Sequence, residues 1–328
     1  HKNVKIIIID HFYYLKKLIF NTSVILLPSK IHIALANFIF SDLQKKIDQI
    51  CDIIYTPSPT LQYYNNKKPS IVSVHDIQHI HFPEYFNFFR RIHRNKNYYA
   101  TMNKADYVQA SSIFIKNDFL KNYSNLKKNN IFFINEGVDN KEFQISKTKA
   151  KRIVSKLNIK SEYIFYPAQL WHHKDHLTVL KAIKILRDEN NLSINLILTG
   201  DKFSSSNQIF NFIDKNHLSS NVKYFGKVSF EILLALYAQS RFFITATLYE
   251  SSSLPLLEAI SVGTAVIASD TPPNKEMGSD FKINFFKSNN EFSLVKTINE
   301  IWQDSEKRNI QIKLNKRKIN KYYWNNIA

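Results

Sequence analysis

Short apolar runs alternate with longer amphipathic stretches along the whole chain. A run of about four to six apolar residues between turn formers marks a strand buried on both faces. Apolar spacing of three and four marks a helix that packs one stripe. On this basis strands are expected at 5–9, 23–27, 52–56, 70–74, 107–110 and 130–134, with helices at 33–49, 89–104 and 113–122. Residues 140–160 turn polar and basic, and the domain boundary is placed there. The alternation then restarts. Strands are expected at 163–166, 194–198, 222–225, 242–245 and 265–268, and helices at 177–190, 210–215, 230–240, 255–262, 291–302 and 305–323. Such βα alternation argues for parallel sheets covered by helices on both faces. The expected fold class is α/β, with two Rossmann-like doubly wound domains at 1–150 and 151–328. Ligands would bind at the carboxyl ends of the strands, in the cleft between the two sheets.

Composition narrows the class. With 44% hydrophobic and 14% aromatic residues the chain is not globally disordered, and 328 residues suit two domains. The single cysteine, Cys51, excludes a disulfide scaffold or a cysteine-rich zinc module and fits a reducing compartment. The most apolar early stretch, 4–27, is interrupted by Asp10, His11, Lys16 and Lys17. It neither spans a membrane nor has a signal-peptide layout. A cytoplasmic protein is expected, at most peripheral on the inner face of the cell membrane.

The net charge of +18 is Lys-rich, as an AT-rich coding sequence would give without any partner. Its distribution says more. Residues 1–160 carry 25 basic and 11 acidic side chains, net +14, whereas 161–305 carry 13 and 15, net −2. That asymmetry suggests an anionic partner for the first half, such as a membrane surface, a phosphorylated acceptor or nucleic acid.

The segment richest in chemistry is Leu248-Tyr-Glu250-Ser-Ser252-Ser253-Leu254-Pro255-Leu-Leu-Glu258-Ala259. It leaves a strand, turns through three small residues and enters a helix at Pro255, a residue suited to the first helical turn. Free N–H groups at a helix start favour an anion such as a diphosphate. Two carboxylates eight residues apart could grip hydroxyls at both ends of a sugar nucleotide. An ordinary capped helix with a solvated glutamate would read the same way.

This segment resembles the E-x7-E signature of the retaining glycosyltransferases of family 4, which have the GT-B fold. Other motifs occur in family order. Ser73-Val-His75-Asp76 resembles the strand-end histidine of the first domain, and Ala105-Asp106 with Ser112-x-Phe114-x-Lys116-x-Asp118 the next segment. Glu136-Gly137-Val138-Asp139 is similar to the N-G-V-D that ends that domain. Tyr166-Pro-Ala-Gln169-Leu-Trp-His-His-Lys174-Asp-His176 resembles a Y-P-A-Q-x-W-x-H-K-N-H loop. Phe225-Gly226-x-Val228-Ser229-x-Glu231 and Gly263-Thr264-Ala265-Val266-Ile267 complete the set.

The resemblance implies an enzyme that moves a hexose, mannose among the options, from a nucleotide-diphosphate sugar to a hydroxyl. The acceptor would be a saccharide or lipid-linked saccharide in cell-surface polysaccharide synthesis. Glu250 would sit by the donor sugar hydroxyls and Glu258 would bind the ribose. The N–H groups of Ser252, Ser253 and Leu254 would hold the diphosphate, and Lys174 would neutralise it. Gln169 stands where many members carry Gly-Arg, Val228 would border the base, and His75 would face the reacting carbon and the acceptor. No cofactor and no metal are implied, and no nucleic acid is expected. A same-fold sugar-nucleotide epimerase and a catalytically weak binding or scaffold protein are the alternatives.

Three departures stand out. Ser251–Ser253 replace a Gly-Phe-Gly turn, and serine tolerates positive φ poorly. No glycine precedes Gly137, so the first domain is expected to lack its opening strand, Gly-rich loop and helix. The chain starts at His1 and stops four residues after Trp324, so both ends look clipped. The clusters His75/His79/His81 and His172/His173/His176 lack the companion ligands of a zinc site. The aromatic, arginine-rich stretch 82–99 fits either an interfacial segment or a helix with a solvated basic face.

Overall fold

The chain divides into two units, His1–Ile134 and Asn135–Ala328. The computed structural model describes residues 13–61, 67–159 and 161–327. In the first unit, helices α1 (Tyr13–Leu26), α2 (Ser29–Ile39) and α3 (Ser41–Ile50) precede strand β1 (Ile54–Thr56). Then come β2 (Ser70–Ser73), α4 (Gln78–His81), α5 (Phe88–Lys104), β3 (Tyr107–Ala110), α6 (Ile113–Asn122) and β4 (Ile131–Phe133). The four strands lie parallel in the order β1-β2-β3-β4. The Asp106 carboxylate, just ahead of β3, accepts from both the N–H and the hydroxyl of Ser70 at 2.8 Å, which anchors the start of β2.

The second unit begins with α7 (Lys147–Lys156) and β5 (Tyr163–Pro167), followed by α8 (His176–Asp188), β6 (Asn195–Thr199), α9 (Ser206–Lys215) and β7 (Val222–Tyr224). It continues through α10 (Phe230–Gln239), β8 (Phe242–Thr245), α11 (Leu254–Val262), β9 (Val266–Ser269), α12 (Pro272–Gly278) and β10 (Asn284–Phe286). Helices α13 (Glu291–Trp302), α14 (Ser305–Lys318) and α15 (Trp324–Ile327) close the chain. The six strands are parallel in the order β10-β9-β8-β5-β6-β7. Side chains alternate across this sheet. Ile164, Tyr166, Phe242 and Ile244 pack under α8, α9 and α13. Tyr163, Phe165 and Phe243 pack under α7, α10 and α11. Such double cover is why these strands read as unbroken apolar runs.

Several expectations change. The expected strand at 5–9 lies outside the described residues. The expected strand at 23–27 is instead the last turn of α1, which ends at Leu26. The buried positions Phe20, Ser23 and Val24 recur at helical spacing, a signal the local apolar run obscured. The single helix expected at 33–49 is two, joined at Phe40, whose ring is buried against Phe20 with centroids 6.0 Å apart. The units divide before residue 135 instead of near 150. The Val138 N–H donates to Tyr322 O at 2.9 Å, and Phe143 belongs to the second unit's core. The polar stretch 140–160 contains α7, which buries Ala150 and Val154, with Ile153 and Leu157 packed beside them, in a stripe facing α10. The expected last helix ends at Lys318 and tightens into a 3₁₀ turn, Ile319–Tyr322.

One glycine fixes the strand ends. Gly200 follows β6 at φ +124°, and a Cβ there would lie 2.6 Å from Ala168 O. Gly200→Ala is therefore expected to destabilise the chain by about 2 kcal/mol, from an unfavourable φ together with a backbone clash. Urea denaturation checks this, and an unchanged midpoint would refute it.

Candidate functional site

In the second unit the chain builds β5, β6 and β7 outward, then crosses to β8 and builds β9 and β10 the other way. The loops leaving β5 and β8 therefore diverge to opposite faces, and this switch point is where open α/β sheets take their ligands. Those two loops carry Lys174 and Glu250.

Main-chain bonds bring the loops together. The Tyr166 hydroxyl, from the end of β5, donates to Lys174 O. The Leu248 N–H donates to His173 O at 2.7 Å, and the Thr247 hydroxyl reaches the same oxygen at 3.2 Å. Asp175, at φ +49°, caps α8 through Thr178 N–H at 3.3 Å. With the backbone fixed in this way, the Lys174 ammonium pairs with the Glu250 carboxylate, and their side chains are only 18% and 16% exposed.

The turn into α11 supplies donors. Ser253 stands at the N-cap with φ −92°, and none of Ser251, Ser252 and Ser253 has positive φ, so the serines carry none of the expected strain. The N–H groups of Ser252, Ser253 and Leu254 have no backbone acceptor among the described residues. Ser253 O accepts from Leu256 and Leu257 at 2.9 and 3.2 Å. The Ser252 hydroxyl donates to Glu136 Oε2 at 2.7 Å. N–H groups without a backbone acceptor at a helix start, together with the helix dipole, are the features that could hold an anion.

Glu258 lies one turn into α11, half-buried, and accepts from the Tyr237 hydroxyl at 3.0 Å. Burial pushes its carboxyl up to about 6, against the lowering effect of that hydrogen bond. Gln169 is exposed, with Oε1 accepting from Trp171 Nε1 at 3.0 Å, and Trp171 stacks on Phe203 at 3.9 Å. Val228 is half-buried in the loop after β7, beyond Gly226, whose carbonyl accepts from Gly200 N–H. His75 belongs to the first unit, exposed two residues past β2, at a carboxyl strand end.

The other histidines are scattered by role. His176 is buried and stacked on Tyr166 at 4.7 Å, and burial pushes it down to about 3. Burial does the same to His173, to about 3, and to His79, to about 4. His81 pairs with Asp118 at 2.7 Å. His79, His173 and His176 are held as neutral packing groups, and His81 is hydrogen-bonded to Asp118.

Sequence reasoning missed the support beneath the turn. Asn274, fully buried on α12, bonds Ser253 and Ser269, and the Ser269 hydroxyl donates to Thr247 O at 2.7 Å. Proline at 272 and 273 masked α12 in the sequence.

Among the described residues, no helix is long and apolar enough to cross a membrane. The chain is 16% identical to Anabaena HepE, whose structure was determined in complex with UDP and glucose. That likeness has a TM-score of 0.73 and covers 87% of this chain and 77% of that one. A sucrose-phosphate synthase from Thermosynechococcus elongatus aligns at TM-score 0.74 and 16% identity, over 92% and 77% of the two chains. These likenesses show the GT-B fold. O-antigen chain mannosyltransferase B of Escherichia coli is 23% identical over 70% of this chain and 60% of its own length. O-antigen chain mannosyltransferase RfbU of Salmonella typhimurium is 23% identical over 61% and 52%. The chain thus spans between half and two thirds of these relatives. Residues 147–318, just over half of the chain and all of the switch-point site, match the family described as Glycosyl transferases group 1, and the chain belongs to that family.

Proposed function

We propose that the protein is a retaining family-4 glycosyltransferase that moves a hexose, mannose first among them, from a nucleotide-diphosphate sugar to a saccharide or lipid-linked saccharide hydroxyl. The observation that carries this reading is the Lys174–Glu250 pair set beside the unpaired N–H groups of Ser252, Ser253 and Leu254 at the switch point. A cation and a helix start are what a departing diphosphate needs, and a carboxylate next to them can hold sugar hydroxyls. The names of the two O-antigen relatives favour mannose and cell-surface polysaccharide synthesis.

In this reading the bond from the anomeric carbon to the phosphate oxygen breaks while the bond to the acceptor oxygen forms on the same face. The acceptor proton passes to the departing phosphate, and no protein nucleophile takes part. Lys174 and the turn's N–H groups hold the developing negative charge. Glu250 orients the sugar, Glu258 takes the ribose hydroxyls, and Gln169 and Val228 line the diphosphate and base. His75 serves the acceptor. The chemistry needs no metal or cofactor. The basic first half gives a cytoplasmic protein a peripheral hold on an anionic membrane face.

Thermal shift against GDP-mannose, UDP-glucose and UDP-galactose tests the reading, since a ligand bound by the fold raises its apparent stability. GDP-mannose is expected to raise Tm most. A set of nucleotide sugars that all leave Tm unmoved would remove the transferase reading.

A further inference from the structure

From the way the phosphate turn is tied down, we infer that Asn274 is a positioning residue that keeps the start of α11 open for the diphosphate, an inference that rests on the donor site proposed above. A serine at an N-cap ordinarily turns its hydroxyl onto the helix's own N–H groups. Ser253 is at that position and makes no such bond. Its hydroxyl donates instead to Asn274 Oδ1. Asn274 is 0% exposed, and the rest of its amide is also engaged. Its Nδ2 donates to Ser269 O at 2.9 Å and to Ser269 Oγ at 3.2 Å.

The chain of bonds continues to the other half of the site. Ser269 Oγ donates to Thr247 O. Thr247 and Leu248 in turn hold His173 O, the carbonyl next to Lys174. One buried asparagine thus fixes the rotamer of the cap residue and the separation between the turn and the Lys174 loop.

The diversion has a chemical consequence. With Asn274 present, the serine hydroxyl is engaged by the buried amide, and the N–H groups of Ser252, Ser253 and Leu254 keep no backbone acceptor among the described residues. With Asn274 gone, the hydroxyl is released to compete with Ser253 O for the Leu256 N–H, the first within a cap's reach because Pro255 has none. It then occupies the space that a phosphate oxygen needs.

Calorimetric titration of the chain with UDP and with GDP tests this, beside urea midpoints for each variant. Asn274→Ala is expected to weaken binding of the preferred nucleotide about five- to tenfold, the size of one cap hydrogen bond. Adding Ser253→Gly to Asn274→Ala is expected to recover most of that loss without recovering stability. Binding by Asn274→Ala within twofold of wild type overturns the inference alone. So does a loss that Ser253→Gly fails to rescue, because that marks a merely structural role. A wild-type chain that binds neither nucleotide overturns the donor site itself, and the inference with it. Should Asn274→Ala not fold, Ser269→Ala, which leaves Ser269 O as an acceptor, takes its place with a smaller expected loss and the same rescue criterion.

Discussion

Lys174→Ala is expected to lower the rate of hexose transfer by about 10²- to 10³-fold, with a far smaller effect on folding. The magnitude is that of removing one preorganised charge from a leaving group in a site largely shielded from water. Two terms add. The departing diphosphate loses its cation, and Glu250, now without its partner, repels the phosphates. The small structural effect comes from how the loop is held. Tyr166, Thr247 and Leu248 bond main-chain oxygens of His173 and Lys174, and these contacts do not involve the ammonium. Turnover with saturating donor and a melting curve separate the two effects. Transfer within threefold of wild type would falsify the assignment of Lys174.

The second large effect concerns Glu258 and has a pH signature. Ribose hydroxyls donate, so the productive form is the carboxylate. In the free protein burial raises the carboxyl to about 6 from an ordinary 4.5. Donor affinity is therefore expected to be pH-independent above about 7. It should weaken as the pH falls through 6, by up to about tenfold per unit. The sign for stability is opposite. Between 4.5 and 6 the unfolded chain has already released this proton and the folded chain has not, so rising pH through that window removes stability.

Glu258→Gln keeps an acceptor for the Tyr237 hydroxyl and removes the buried charge. It should be more stable than wild type at pH 7.5, with the advantage gone below 4.5, yet bind donor about 30-fold more weakly. That loss is about two kcal/mol, within the range for hydrogen bonds to a charged group. Stability gained with function lost is what a strained binding residue gives. If the variant bound donor as wild type does across pH 5–8, Glu258 would have no role at the ribose.

The sequence alone determined the two parallel α/β units and nearly every strand of the second sheet, and it singled out the loops after β5 and β8 as candidate site loops. These features are local. Strands covered on both faces read as apolar runs, and a phosphate turn must carry small residues and then a helix start within a few positions. The helical end of α1, the break at Phe40 and helix α7 within a polar stretch were not legible: apolar runs hid the stripes of α1 and α2, α7 has few apolar positions, and only packing against α5, Phe20 and α10 shows which residues are buried. The tertiary structure alone decided that Lys174, 76 residues from Glu250 in sequence, is its ion-pair partner. It alone revealed Asn274 beneath Ser253. Both depend on the crossover between β7 and β8, which sets β5 and β8 side by side, and no local pattern of side chains records that pairing.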